Sequence, residues 1–150
     1  MMKVRTIVKP SGVAGLGMFA AEPIRKGQIT WILEPAFDRF FKPAQVNALA
    51  PIERAWFETY SFVMRSGEHC LCADNDRFIN HCHVAPNIDG TGSWKEVAMR
   101  DIEEGEELLV DYRTFEPDYF ARRGIDMATW GPKQEGAEVS PRPVRVARFA

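Results

Sequence analysis

All three cysteines and all three histidines of this 150-residue chain fall between His69 and His83. His69, Cys70, Cys72, His81, Cys82 and His83 are six side chains of the types that hold zinc. Structural zinc draws on ligand pairs two to four residues apart. Cys70-Leu71-Cys72 and His81-Cys82-His83 are tighter than that. On a strand, Cys70 and Cys72 share one face with Leu71 opposite, which suits small buried core residues instead. An odd number of cysteines argues against a disulfide framework. No metal is therefore expected, and zinc binding through this cluster stands as an alternative. Asn80, within the same stretch, offers a donor and an acceptor in one amide.

The elements around this cluster fall into three zones. From about 3 to 42 the chain reads as strand pieces cut by turn residues. Val4-Arg5-Thr6-Ile7-Val8 stops at Pro10-Ser11-Gly12, and Gln28-Ile29-Thr30-Trp31-Ile32-Leu33 stops at Pro35. From 43 to 60 two short helices are predicted, separated near Ala50, with Pro43 and Pro51 each suited to the first helical position. Val46, Leu49, Ile52, Trp56 and Tyr60 recur there at spacings of three or four. From 61 to 116 short strands return. Val97-Ala98-Met99-Arg100 and Glu107-Leu108-Leu109-Val110 flank the turn at Asp101–Gly105. A short helix is expected after Pro117, ending at Gly124. Beyond Gly131 the chain is rich in Gly, Pro and charge and reads as a loosely held tail, in which Val144–Phe149 could add an edge strand.

Hydrophobic residues make up 45% and charged residues 27%, with a net charge of −2. That is an ordinary globular composition, sufficient for one domain with its own core. There is no basic excess, so direct nucleic-acid binding is not expected. No apolar run approaches a membrane span and no secretory pattern opens the sequence. A cytoplasmic location is expected, or a nuclear one in a eukaryote.

Three strings, in order, resemble the motifs of the SET-domain family. The first is Gly12-Val13-Ala14-Gly15-Leu16-Gly17-Met18-Phe19-Ala20-Ala21, followed by Ile24-Arg25-Lys26-Gly27. The second, and the most specific, is Arg77-Phe78-Ile79-Asn80-His81-Cys82-His83-Val84-Ala85-Pro86-Asn87. The third is Gly105-Glu106-Glu107-Leu108-Leu109-Val110-Asp111-Tyr112, similar to the family string that ends in its catalytic tyrosine. Two departures stand out. Cys82 occupies a position usually held by Ser, and one extra residue lies between His81 and Pro86. Where many histone-directed members carry a tyrosine, this chain reads Trp31-Ile32-Leu33-Glu34.

The resemblance implies a mainly β fold with short helices: small curled sheets in a β-clip, closed by a C-terminal pseudoknot. It divides the chain into a SET domain at 1–116, an aromatic helical segment at 117–131 packing on the site, and a tail at 132–150. It implies methyl transfer from S-adenosyl-L-methionine to a lysine ε-amine of a protein or peptide, leaving S-adenosyl-L-homocysteine. Tyr112 would be the catalytic residue. Gly15, Leu16, Gly17, Arg77, Phe78, Asn80, His81, Phe115 and Phe120 would bind the cofactor, with the two glycines admitting a close backbone approach. Asn80 would serve the cofactor's amino-acid end or the motif's own backbone, and Asp111 would anchor a strand. Tyr60, Phe62 and Phe78 would wall the lysine channel. No cysteine follows Cys82, so the zinc module many members use at this end is missing. An aromatic helix, or a second subunit in a homodimer, must take its place. A SET fold acting only as a peptide-binding module is the remaining alternative.

Overall fold

The structure is a computed structural model that describes residues 1–92, 94–127 and 130. Along the chain, β1 (Thr6–Pro10) and β2 (Leu16–Ala20) form an antiparallel hairpin. Then come β3 (Ile29–Ile32), β4 (Arg39–Phe41), α1 (Pro43–Asn47) and α2 (Pro51–Tyr60), followed by β5 (Ser61–Val63) and β6 (His69–Leu71). A 3-10 turn at Asn75–Phe78 leads into β7 (Asn80–His81), β8 (Ile88–Asp89), β9 (Lys95–Ala98) and β10 (Leu109–Val110). A second 3-10 turn at Tyr112–Thr114 and α3 (Tyr119–Arg123) follow. The described elements are mainly short strands in several small sheets, as expected.

Both helices after β4 begin where the prolines place them, because a proline at the first helical position forfeits no hydrogen bond. The Gln45 and Glu53 side chains reach back to accept from the backbone N–H of Lys42 and Ala50, at 2.8 and 3.0 Å. α3 ends at Gly124, whose φ of 58° is the left-handed cap that glycine adopts without strain.

The apolar spacing in α2 was misleading about which face is inward. Ile52 is 69% exposed and Trp56 50%, while Ala55 and Phe57 are buried. Ile52 and Trp56 turn outward, only Tyr60 of that i, i+4 series is half-buried, and Phe57 packs edge-on against Phe41 of β4 at 4.8 Å. Cys70 and Cys72 are buried with Trp31 and Leu33 in one of two core clusters, and Leu71 points away, as a strand's alternation requires.

The central sheet runs β3-β9-β8-β10-β7. β10 lies between β7 and β8 and is parallel to both. Residues just before it pair with the hairpin instead: Ala20 N–H donates to the Glu106 carbonyl and Leu108 N–H to that of Met18. The string 105–112 is therefore shared. Its first half closes on β2 and its second half enters the sheet between the two ends of the segment 80–89. The three motifs, distant in sequence, become one packed unit.

Gly17 is needed at this junction. A Cβ there would fall 2.2 Å from Glu107 Oε1 and 2.9 Å from the Ser11 Cβ. Gly17→Ala should lower the unfolding free energy by about 1–3 kcal/mol, the usual cost of overpacking. Urea denaturation reads this directly, and an unchanged midpoint would mean that the junction yields freely.

Candidate active site

Glu107 organises the meeting point of the motifs. Its Oε1 accepts from the Ser11 hydroxyl at 2.7 Å and from Asn80 Nδ2 at 2.9 Å. Asn80 Nδ2 also lies 3.2 and 3.1 Å from the carbonyl oxygens of Ala14 and Leu16. The Asn80 amide thus holds the turn carrying Gly15 and Gly17, in the first motif rather than in its own. Gly15 has a φ of 52°, a left-handed conformation that glycine adopts readily. The space beside Gly17 is filled by Glu107, so the requirement for that glycine is met inside the protein. Asn87 closes the opposite end. Its Oδ1 accepts from Leu109 N–H at 2.7 Å and its Nδ2 donates to the Glu107 carbonyl at 2.8 Å.

Tyr112 begins the 3-10 turn after β10 and is 5% exposed. Its hydroxyl donates to the Ile79 carbonyl at 2.5 Å. Its ring packs against Tyr119 at 4.6 Å, His81 at 5.3 Å and Phe115 at 5.7 Å. A phenol gripped on several sides has little freedom to move, which is what a positioned catalytic oxygen requires. Asp111 caps the turn by accepting from Arg113 N–H at 3.0 Å and pairs with the Arg113 guanidinium.

His81 is fully buried beneath this turn. Its Nδ1 accepts the backbone N–H of Tyr112 at 3.1 Å, so the ring is neutral with its proton on Nε2. Burial drives its pKa down to about 4, against the opposing pull of the Asp111 carboxylate. The folded ring should stay uncharged as pH falls from 8 to 5, and an NMR titration of its ring carbons would reveal any earlier protonation. The unfolded chain takes up this proton near pH 6.5, before the folded one does. The His81 contribution to stability is therefore complete above about 6.5 and declines as pH falls toward 4, by up to about 3 kcal/mol.

A cavity of about 510 Å³ has Tyr112 in its wall and no residue of the β1–β2 hairpin in its lining. Tyr60, Phe62, Ile79, Phe115, Tyr119 and Tyr112 itself line one part of it. Phe62 and Phe115 meet edge-on at 5.3 Å. Phe78 packs against Tyr60 at 5.5 Å and so backs that wall. Arg77 also lines the cavity, although sequence reasoning had placed it with the cofactor-binding residues. Phe120 sits on the other side of Tyr112, edge-on to His81 at 4.7 Å and to Trp130 at 5.9 Å. His81 Nε2 and Trp130 Nε1 are both buried without a hydrogen-bond partner among the described residues.

Trp130, in the aromatic segment singled out from sequence, belongs to the buried cluster with Tyr112 and Phe120. Sequence reasoning missed two contributors. Glu107 lay within a quoted motif, but no role was assigned to it. Glu116 is 4% exposed and ties α3 to the rest. It accepts from Val63 N–H at 2.9 Å and pairs with Arg122 and with Arg123, the latter at 3.1 Å. These links fix the position of α3. No group of three or more His, Cys, Asp and Glu among the described residues is arranged to hold a metal ion. No helix among them is long and apolar enough to cross a membrane. The tail at 132–150, with its candidate strand, lies outside the described residues.

A family model described as the SET domain matches residues 15–113. Among solved structures, the chain is similar to Polycomb Repressive Complex 2 from Chaetomium thermophilum. One match is its autoinhibited conformation bound to S-adenosylmethionine, with a TM-score of 0.57 and 21% identity over 83% of this chain and 17% of that one. A second is the apo autoinhibited state, with a TM-score of 0.56 and 20% identity over 81% and 17%. A third is a humanized mutant bound to the inhibitor GSK126, with a TM-score of 0.55 and 21% identity over 79% and 16%. The chain spans about one sixth of the length of those matched chains. At this identity the likeness establishes the fold. No curated protein matches the sequence.

Proposed function

The chain belongs to the SET-domain family, and on that footing we propose that it transfers a methyl group from S-adenosylmethionine to a lysine ε-amine of a protein. The observation that carries this reading is the Tyr112 hydroxyl, held on the Ile79 carbonyl at the inner wall of an aromatic cavity.

The residues on the hairpin side of Tyr112 fit the cofactor. The Gly15-Leu16-Gly17 turn is fixed from behind by Asn80, leaving Leu16 42% exposed. The Nε2–H of His81 and the Nε1–H of Trp130, without acceptors among the described residues and beside the Phe120 ring, suit a planar ligand that carries acceptors. Gly15, Leu16, Gly17, His81 and Phe120 would hold it there, with Asn80 backing the turn and Arg77, Phe78 and Phe115 closing from the cavity side. Bound S-adenosylmethionine supplies an electrophilic methyl on a positively charged sulfur.

The protein's part is to present a neutral amine in line with that methyl. A lysine ammonium, with an ordinary pKa near 10.4, is mostly charged at neutral pH. Tyr60, Phe62, Phe115 and Tyr119 surround the approach with little water, and desolvation favours the neutral amine. The Tyr112 oxygen, its proton committed to Ile79, turns its lone pairs toward the amine and fixes its direction. Rate then comes chiefly from orientation. A transfer assay with methyl-labelled S-adenosylmethionine and proteins from the source organism tests the reading. Label on lysine is expected, and cofactor binding without transfer to any protein would favour a peptide-binding module.

A further inference from the structure

The cavity has a second part that the transfer reaction does not use. Beyond the aromatic wall, its floor carries Asp76, Glu96 and Trp31. Their exposures are 5%, 8% and 4%. Among the described residues no separate donor reaches Asp76 Oδ1 or Glu96 Oε2, no acceptor reaches Trp31 Nε1, and the two acids lie close enough to hydrogen-bond when one is protonated. The fold brings these atoms together from three elements. Glu96 on β9 is in register with Trp31 on β3. Asp76 comes from the 3-10 turn that Asp74 caps, accepting from Asp76 N–H at 3.1 Å. The other Asp76 oxygen is occupied, accepting from the Cys72 thiol at 3.4 Å.

Two acceptor-only groups in one dry recess can satisfy each other only by sharing a proton. Burial, and then the Asp74 charge, push the Asp76 carboxyl up to about 7. Burial, and then Asp76, push Glu96 well above the usual carboxylate range. The surrounding charges do not cancel this. Asp38 and Asp74 add like charge, and the Met1 amino group lies 3.6 and 3.9 Å from those two carboxylates. Cys70 and Cys72 contribute only buried thiols. Phe40, Phe62 and Met64 line the same cavity as the acids. Apolar walls beside buried acids suit a long side chain with methylenes along its stem and charge at its tip.

We propose that this recess binds a second cationic side chain, a lysine or arginine near the target lysine in the substrate. The substrate class is thus a protein segment carrying at least two basic residues. The inference rests on the methyl-transfer reading for its biological setting, but the recess can be tested without turnover. The incoming cation takes the place of the shared proton, so binding tightens as pH rises from 6 to 8.

The probes are n-butylguanidinium and its uncharged counterpart n-butylurea, followed through the Trp31 indole N–H by NMR. The cation should shift this resonance with an affinity at least about tenfold above that of the urea. The preference should vanish in Asp76→Asn/Glu96→Gln, or in Glu96→Gln alone if the double variant does not fold. Equal binding of both probes, or a preference retained in the variant, would overturn the proposal. In a transfer assay, peptides with one lysine and an arginine scanned around it should show a favoured arginine position. The variant should lower kcat/KM for the favoured peptide about tenfold more than for the single-lysine peptide, chiefly through KM. An unchanged ratio also overturns the proposal. Loss of transfer to every peptide would instead count against the methyl-transfer reading, and the fragment titration would still decide the recess.

Discussion

Tyr112→Phe should reduce methyl transfer by at least about a hundredfold while leaving cofactor affinity within about twofold, because misplacing a reacting group by about 1 Å costs that much. The phenylalanine keeps the ring that packs on Tyr119, His81 and Phe115. It removes only the hydroxyl and its bond to the Ile79 carbonyl. The incoming amine then loses the oxygen that directs it, and the Ile79 carbonyl loses one donor. Losing one buried hydrogen bond costs about 0.5–1.5 kcal/mol, so a modest fall in stability accompanies the kinetic loss. The two effects separate cleanly. The fall in kcat is expected at temperatures where circular dichroism shows the variant fully folded. A variant with an unchanged rate would assign Tyr112 to packing alone.

Asn80→Ala should have the largest effect on the scaffold, lowering stability by about 3–5 kcal/mol and cofactor affinity more than tenfold. One amide nitrogen serves Ala14, Leu16 and Glu107 together. Truncation leaves two carbonyl oxygens short of a donor and a carboxylate held by Ser11 alone. The turn bearing Gly15 and Gly17 then loses its backing, which is how a residue hidden from the ligand controls its binding. Asn80→Asp should be worse than the alanine, since it sets a second carboxylate against Glu107. Calorimetric titration with S-adenosylhomocysteine, alongside denaturant unfolding, distinguishes this from a simple surface effect. An alanine variant of native stability and native affinity would remove Asn80 from the account.

The sequence was most informative where chemistry and local geometry coincide. Pro43, Pro51 and Gly124 mark helix ends because their backbone preferences act at a single residue. The three motif strings pointed to the family because each retains its own residue types. What joins them could not be read locally. Ser11 and Glu107 are 96 residues apart, and the insertion of β10 between β7 and β8 has no periodic signature. In α2 a helical repeat was present on the wrong face, since spacing reports an apolar stripe but not what covers it. Asp76 and Glu96 escaped notice for a related reason. Glu96, between Lys95 and Val97, reads as an ordinary charge on a strand edge. Only its register with Trp31 reveals it as the floor of a cavity.

The mechanistic account depends on the neutral amine being made by burial and aimed by Tyr112. The most direct measurement is mass spectrometry of substrate protein after incubation with methyl-labelled S-adenosylmethionine, comparing the native enzyme with Tyr112→Phe. The account predicts label on lysine ε-nitrogen, one S-adenosylhomocysteine formed per methyl, and at least about a hundredfold less label with the variant. Label on another residue type, or equal labelling by the two proteins, would contradict it.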